Sequence, residues 1–125
     1  MADPRSFLPL TPLAYHVLLA LADRARHGYG IIQEVDERTD GMVRIRTGTL
    51  YTMLQRLLDE QLVQPVDTPE ADGADNAPGS RRDDRRKYYA LTELGRDVLA
   101  AETRRMEALI GEAHRKHVLD RTTKI

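Results

Sequence analysis

Apolar residues recur at helical spacing in four stretches of this chain. In the first, Leu13, Val17, Leu18 and Leu21 follow Thr11-Pro12. Thr caps a helix start, and Pro at the first helical position lacks only an N–H that would have no partner anyway. A helix over 12–23 is predicted, ended by Arg24-Ala25-Arg26-His27-Gly28. Ile31, Ile32 and Val35 mark a second helix from Tyr29 to Thr39, closed by the turn signal Asp40-Gly41. Met42-Val43-Arg44-Ile45-Arg46 alternates apolar and basic residues, as a short strand or an extended lead-in. Thr47 is then placed to cap a third helix running to Gln61.

On a helical wheel, Leu50, Met53, Leu54, Leu57 and Leu58 share one side of that third helix, and Thr49, Thr52, Gln55, Arg56 and Asp59 fall opposite. Tyr51 lies at the border. Leu62–Val66 reads as a short strand, with Pro65 favouring a sheet edge. Residues 67–84 are rich in Asp, Gly, Pro and Ala and read as a long flexible loop. Arg85–Leu91 reads as a second strand that pairs with the first as a hairpin. Its Tyr88 and Tyr89 alternate faces, so one of them is expected in the core. Thr92 caps a last helix to about residue 117, with Leu94, Val98, Leu99, Met106, Leu109, Ile110 and Ala113 as an intermittent apolar stripe. Glu102, Arg104 and Arg105 interrupt the stripe and are expected to face solvent or to pair across a dimer.

Composition narrows the function classes. One Phe and no Trp among 125 residues leave an aliphatic core. The absence of Cys excludes disulfides, thiolate metal sites and Cys nucleophiles. No apolar run spans a bilayer, and no signal peptide is visible, so no membrane partner and a bacterial-type cytoplasmic location are expected. The only serines are Ser6 and Ser80, and no nucleophile elbow, phosphate loop or zinc motif is present. An enzyme is not expected, nor a cofactor. His114 and His117 are spaced as a metal pair, but nothing completes the set. A solvated position near a helix C-terminus explains them better.

The net charge of −1 hides a local concentration: Arg81, Arg82, Arg85, Arg86 and Lys87 place five cations within seven positions. Basic stripes of this kind suit phosphates, whatever the total charge.

Three short helices followed by a hairpin make a winged helix-turn-helix. The predicted class is mainly α with a small β-hairpin, completed by a long C-terminal dimerisation helix. Residues 1–91 would form the N-terminal arm and DNA-binding domain, and 92–125 the dimerisation helix and tail. A helix of the third kind fits the major groove, where side chains meet base edges. The wing supplies cations to phosphates. The last helix has no partner inside so small a domain, and a second copy would cover its stripe in a two-fold dimer.

The blocks His27-Gly28-Tyr29-Gly30-Ile31-Ile32, Gly48-Thr49-Leu50-Tyr51 with Leu54, Arg56 and Leu57, and Arg85-Arg86-Lys87-Tyr88-Tyr89-Ala90-Leu91-Thr92-Glu93-Leu94-Gly95 resemble the PadR family of transcriptional regulators. In order and separation they cover about residues 11–117. The single last helix resembles the short subfamily, which dimerises through it. The resemblance implies a homodimeric repressor, sometimes released by a small aromatic or drug-like molecule. Two departures stand out. Gln61 occupies the position where the family usually has Gly after the third helix, so a different helix end is expected. The wing loop is also unusually long and acidic.

The expected DNA contacts are Thr47, Thr49, Tyr51, Thr52, Gln55 and Arg56 on the third helix, and Arg44 and Arg46 before it. His27 and Tyr29 at the start of the second helix, and the wing cations Arg81, Arg82, Arg85, Arg86 and Lys87, complete the set. Gln55 suits adenine, and Arg56 suits guanine or phosphate. On an isolated amphipathic helix such a face would simply be wet; third place in a winged domain reverses that reading. A start of helix at His27-Gly28-Tyr29 offers N–H groups to a phosphate, or is a tight turn that needs Gly. The dimer contacts expected are Leu94, Val98, Leu99, Met106, Leu109, Ile110 and Ala113. An effector cavity at the dimer centre would be lined by Leu8, Leu10, Tyr15, Met106, Leu109 and Ile110, unless these simply fill the dimer core. The alternative function is a winged-helix protein-interaction module without DNA binding.

Overall fold

The computed structural model describes residues 2–67 and 87–122. A 3-10 turn at Pro4–Phe7 precedes helices α1 (Pro12–Ala20), α2 (Gly28–Arg38), α3 (Thr47–Asp59), α4 (Glu93–Arg115) and α5 (Val118–Thr122). Strands β1 (Arg26–His27), β2 (Val63–Val66) and β3 (Tyr88–Leu91) form one antiparallel sheet in the order β1-β3-β2. The expected hairpin is therefore present as β2 and β3, with Val63 opposite Leu91 and Val66 opposite Tyr88. The 12–23 helix stops earlier than predicted, at Ala20, because Arg26-His27 pairs with Tyr89-Tyr88 as a third strand. Two residues carry no periodicity, so only their partner makes them a strand. The segment 42–46 is extended and forms no strand.

Both edges of the central β3 are paired, and Tyr88 and Tyr89 are both buried. The expectation that one of them packs in the core is met by Tyr89. Tyr89 joins the aliphatic core with Leu18, Ile31, Leu50, Leu54 and Leu57. Tyr88 packs edge-on against the ring of His27, centroids 5.4 Å apart.

Helix α4 divides into two halves. Val98 and Leu99 are buried in the same core as α1–α3, so they are not dimer contacts, and Leu94 packs partly against that core. Beyond the domain edge the stripe emerges: Leu109 is 60% exposed and Ile110 56%.

The joint between α3, β2 and α4 is tight. Gln61 adopts φ +63° after α3. The Gln61 N–H donates to the Leu58 carbonyl at 3.0 Å and the Leu62 N–H to the Leu57 carbonyl at 2.9 Å. That is the Schellman pattern usually closed by Gly. The helix therefore ends in the usual way, contrary to the expectation from the Gln, since paired carbonyls offset the strain of the left-handed backbone. The Thr92 hydroxyl donates to the Gln61 carbonyl at 2.7 Å and caps α4 by accepting the Gly95 N–H at 2.9 Å. The Thr92 N–H reaches the Leu62 carbonyl at 3.1 Å. A side chain at Gly95 would collide with that same carbonyl.

Glu102 is 2% exposed, which corrects the expectation that it faces solvent. Its carboxylate accepts the Leu10 N–H at 3.0 Å and the Arg105 guanidinium at 2.6 and 3.0 Å. A buried charge is tolerable only with such partners. Arg105, at the rim, pairs within its own helix, and Arg104 is exposed as expected. The Arg105 hydrogen bonds hold the Glu102 carboxyl below its ordinary value, against burial and with help from the Leu10 N–H.

Two outcomes test this packing. Gly95→Ala should destabilise the protein by about 2–3 kcal/mol, the cost of overpacking against backbone. Gly111→Ala, which meets no atom within 4 Å, should be neutral or stabilising by up to about 1 kcal/mol. Urea denaturation of both variants measures the contrast. The second outcome concerns pH. Because the folded state favours ionised Glu102, its contribution is complete above the ordinary carboxyl value of 4.5 and is lost as pH falls through the lower folded value. Glu102→Gln should therefore be less stable than wild type at neutral pH, and the gap should narrow on acidification. A gap independent of pH would show that the carboxylate's charge does not stabilise the fold.

Candidate nucleic-acid interface

Helix α3 is the most sharply two-sided element. Leu50, Leu54 and Leu57 are at most 2% exposed, and Met53 is buried with them. Arg46, Thr47, Gly48, Thr49, Thr52, Gln55 and Arg56 are all exposed. An open groove of about 630 Å³ along this face is lined by Leu13 of α1 with Arg46, Gly48, Thr49, Thr52, Met53 and Arg56. Leu13 and Gly48 were not among the DNA contacts expected from sequence. Gly48 has no atom within 4 Å of where a Cβ would stand, so only its place between Thr47 and Thr49 pointed to it.

The start of α3 differs from expectation. Arg46, not Thr47, occupies the cap position, and no side chain caps the helix. Thr47 is the first helical residue. Its hydroxyl stands on the surface, and the first-turn N–H groups lack a side-chain acceptor. Such a terminus favours anions.

The polar side chains of this face carry weak internal partners. Gln55 donates from Nε2 to Asp59 Oδ1 at 3.0 Å. Arg56 reaches Glu60 at 3.5 Å, and Arg44 lies 3.9 Å from Asp36. Arg56 and Arg44 are 61% and 76% exposed. Exposed pairs of this kind contribute little, so these guanidiniums can turn to a phosphate at small cost.

Tyr51 projects from α3 over the start of α2. Its hydroxyl occupies the space a side chain at Gly28 would need. It is 46% exposed, and Tyr29 nearby in α2 is 58% exposed. His27 does not belong to this surface. It is 2% exposed, and its Nδ1 accepts the Gly30 N–H at 3.0 Å. It caps α2 and packs on Tyr88, which corrects its assignment as a DNA contact and removes one donor from the α2 terminus. Lys87 is exposed at the start of β3. Arg81, Arg82, Arg85 and Arg86, and nearly all of the expected loop, lie outside the described residues.

The expected effector residues do not converge within one chain. Leu8 lines a cleft against α4, while Leu10 lines a smaller cavity against α3. The Tyr15 hydroxyl is hydrogen-bonded to Thr103 at 2.7 Å, and Leu109 and Ile110 are exposed. Among the described residues, no group of three or more His, Cys, Asp or Glu could hold a metal. His117 instead faces Asp120 at 2.9 Å.

Comparison with known proteins matches the transcriptional regulator PadR-like family over residues 17–101. An uncharacterised protein of Lysinibacillus sphaericus is 31% identical over 84 residues, 67% of this chain and 68% of that protein. A PadR family transcription regulator from hypervirulent Clostridium difficile superposes with a TM-score of 0.65 at 23% identity, covering 84% of this chain and 97% of the other. Bacillus subtilis PadR, solved in complex with operator DNA, has a TM-score of 0.57 at 24% identity, covering 74% of this chain and 46% of that longer one. At these identities the two structures speak for the fold. Among the described residues, no helix is long and apolar enough to cross a membrane. With the family match spanning most of the chain, this protein is a member of the PadR-like family of transcriptional regulators.

Proposed function

We propose that the chain is a homodimeric, sequence-specific DNA-binding repressor that reads its operator with α3. The observation that carries this reading is the exposed row Thr49, Thr52, Gln55 and Arg56 on a helix whose other side is sealed in the core. In the major groove, Gln55 offers an amide to adenine, and Arg56 offers a fork to guanine or to a phosphate. Thr47, Arg46, Arg44, Tyr51 and Tyr29 surround that row and would meet the flanking backbone. Lys87 and the arginines preceding it would meet phosphates as the wing. Family membership and the relative solved with operator DNA support the same reading.

The dimer would form through the outer half of α4 and through α5. Ile110 and Leu109 there are joined by Val118 and Leu119, 48% and 54% exposed, with Met106 and Ala113 on the same stripe. Two copies would present two α3 helices to half-sites about one DNA turn apart. Release of the operator by a small ligand belongs to this proposal.

Two experiments test it. In a salt-titrated binding assay on the protein's own upstream DNA, Gln55→Ala should cost about 1–3 kcal/mol and relax preference at one position. Lys87→Ala should weaken binding to all sequences and flatten the salt dependence by about one phosphate. Equal weak binding to native and scrambled DNA would reject the operator assignment. Ile110→Glu should shift sedimentation from dimer to monomer; an unchanged dimer would place the interface elsewhere.

A further inference from the structure

Two residues of the exposed α3 row each meet a carboxylate one helical turn later. Gln55 donates from Nε2 to Asp59 Oδ1 at 3.0 Å, and Arg56 reaches Glu60 at 3.5 Å. The two couples differ in chemistry. A guanidinium has only donors, so Glu60 cannot change what Arg56 offers. A primary amide has an acceptor at one end and two N–H groups at the other, and turning it end for end exchanges them. An ionised carboxylate only accepts, so Asp59 supports one of these orientations and opposes the other. With one N–H on Asp59, Gln55 keeps Oε1 and its second N–H for a base. When the N–H given to Asp59 is the one pointing away from Oε1, that remaining pair lies along one edge of the amide.

The backbone at Asp59 is fixed. It is the last residue of α3. The chain then closes the helix through the left-handed Gln61, with the Gln61 N–H on the Leu58 carbonyl and the Leu62 N–H on the Leu57 carbonyl. Among the described residues, no cation pairs with Asp59. Helix stability does not account for a carboxylate here, because the C-terminal end of a helix carries partial negative charge and disfavours an anion. A face that meets phosphates disfavours it as well. A residue placed against both rules points to a role in the site.

We propose that Asp59 is a positioning residue that sets which base Gln55 reads. It fixes the amide so that Oε1 and one N–H face outward. That edge matches adenine, which presents its N6 donor beside the N7 acceptor. Guanine presents two acceptors, O6 and N7, and would set O6 against Oε1. An amide free to turn would instead offer both N–H groups to guanine. Asp59 thus works by rejecting the wrong base. The inference rests on the repressor reading above, with α3 in the major groove.

The probe is the protein's own upstream DNA with each base pair substituted in turn, and binding is read by fluorescence anisotropy. Gln55→Ala locates the position at which that residue acts. There, wild type should prefer adenine to guanine by about tenfold. Asp59→Asn has the same shape but carries a donor as well as an acceptor, so it supports both amide orientations and should lose the preference. Asp59→Glu, again acceptor-only, should keep it. Removing the charge also tightens binding to every sequence, so the readout is the adenine-to-guanine ratio and not the affinity. In a Gln55→Ala background, Asp59→Asn should leave the ratio alone. A ratio unchanged in Asp59→Asn, or changed equally without Gln55, would overturn the proposal. NMR of the free protein checks the hydrogen bond without DNA. Asp59→Ala should shift the side-chain amide signals of Gln55 and not those of Gln33 on α2; unmoved Gln55 signals would overturn the orientation. Upstream DNA bound no better than scrambled DNA, with the Gln55 signals shifted, would reject the repressor reading and leave the held amide standing.

Discussion

The carbonyl groups of Gln61 and Leu62 set the geometry of this molecule. They accept from the hydroxyl and the N–H of Thr92, so the end of α3 is tied to the start of α4 by two hydrogen bonds. The second carbonyl lies where a side chain on Gly95 would be, which brings α4 to its closest possible approach. A reading helix is useful in a dimer only if its distance and tilt from the two-fold axis are fixed. In the proposed dimer, one short joint would perform that coupling. It needs a left-handed residue at Gln61, a hydroxyl at Thr92 and no side chain at Gly95.

Glu102 extends the same logic to the N-terminal arm. The arm is short, and its 3-10 turn buries no residue fully. Such a segment would fray if only apolar contacts held it. The Glu102 carboxylate gives it a directional anchor, and Arg105 makes the charge tolerable in a dry place. The arm thereby becomes part of the structure that connects α4 with α3.

The main elements were legible from sequence because their signals are local. The α3 face and the Thr11 and Thr92 caps rest on residues a few positions apart, and β2 and β3 each announced themselves as separate short runs. What escaped reading depends on distant partners. The β1 strand exists because Tyr88 and Tyr89 lie opposite it, and the Tyr88 side chain is met by the ring of His27 from that strand. Leu10 and Glu102 stand 92 positions apart. The stripe on α4 was visible, but periodicity reports only that a face is covered. It does not say whether the same chain or another copy covers it. Glu102 sits in mid-stripe, between Val98 and Met106 at four-residue spacing, and that position was a signal of burial open to reading.

The balance of charge on the α3 side bears on discrimination. Gln55, Arg56 and Arg44 each have a carboxylate within reach, and the chain as a whole carries −1. In the proposed complex, a phosphate or base must replace the partners of the two arginines. The cost is small for each exposed pair, but it is the same on every DNA sequence. Only a correct site adds base contacts that exceed it. A near-neutral regulator arranged this way gives up non-specific affinity, which comes almost entirely from phosphate neutralisation. Because that cost falls equally on specific and non-specific sites, the ratio between them, which decides occupancy in a genome, rests on the base contacts alone.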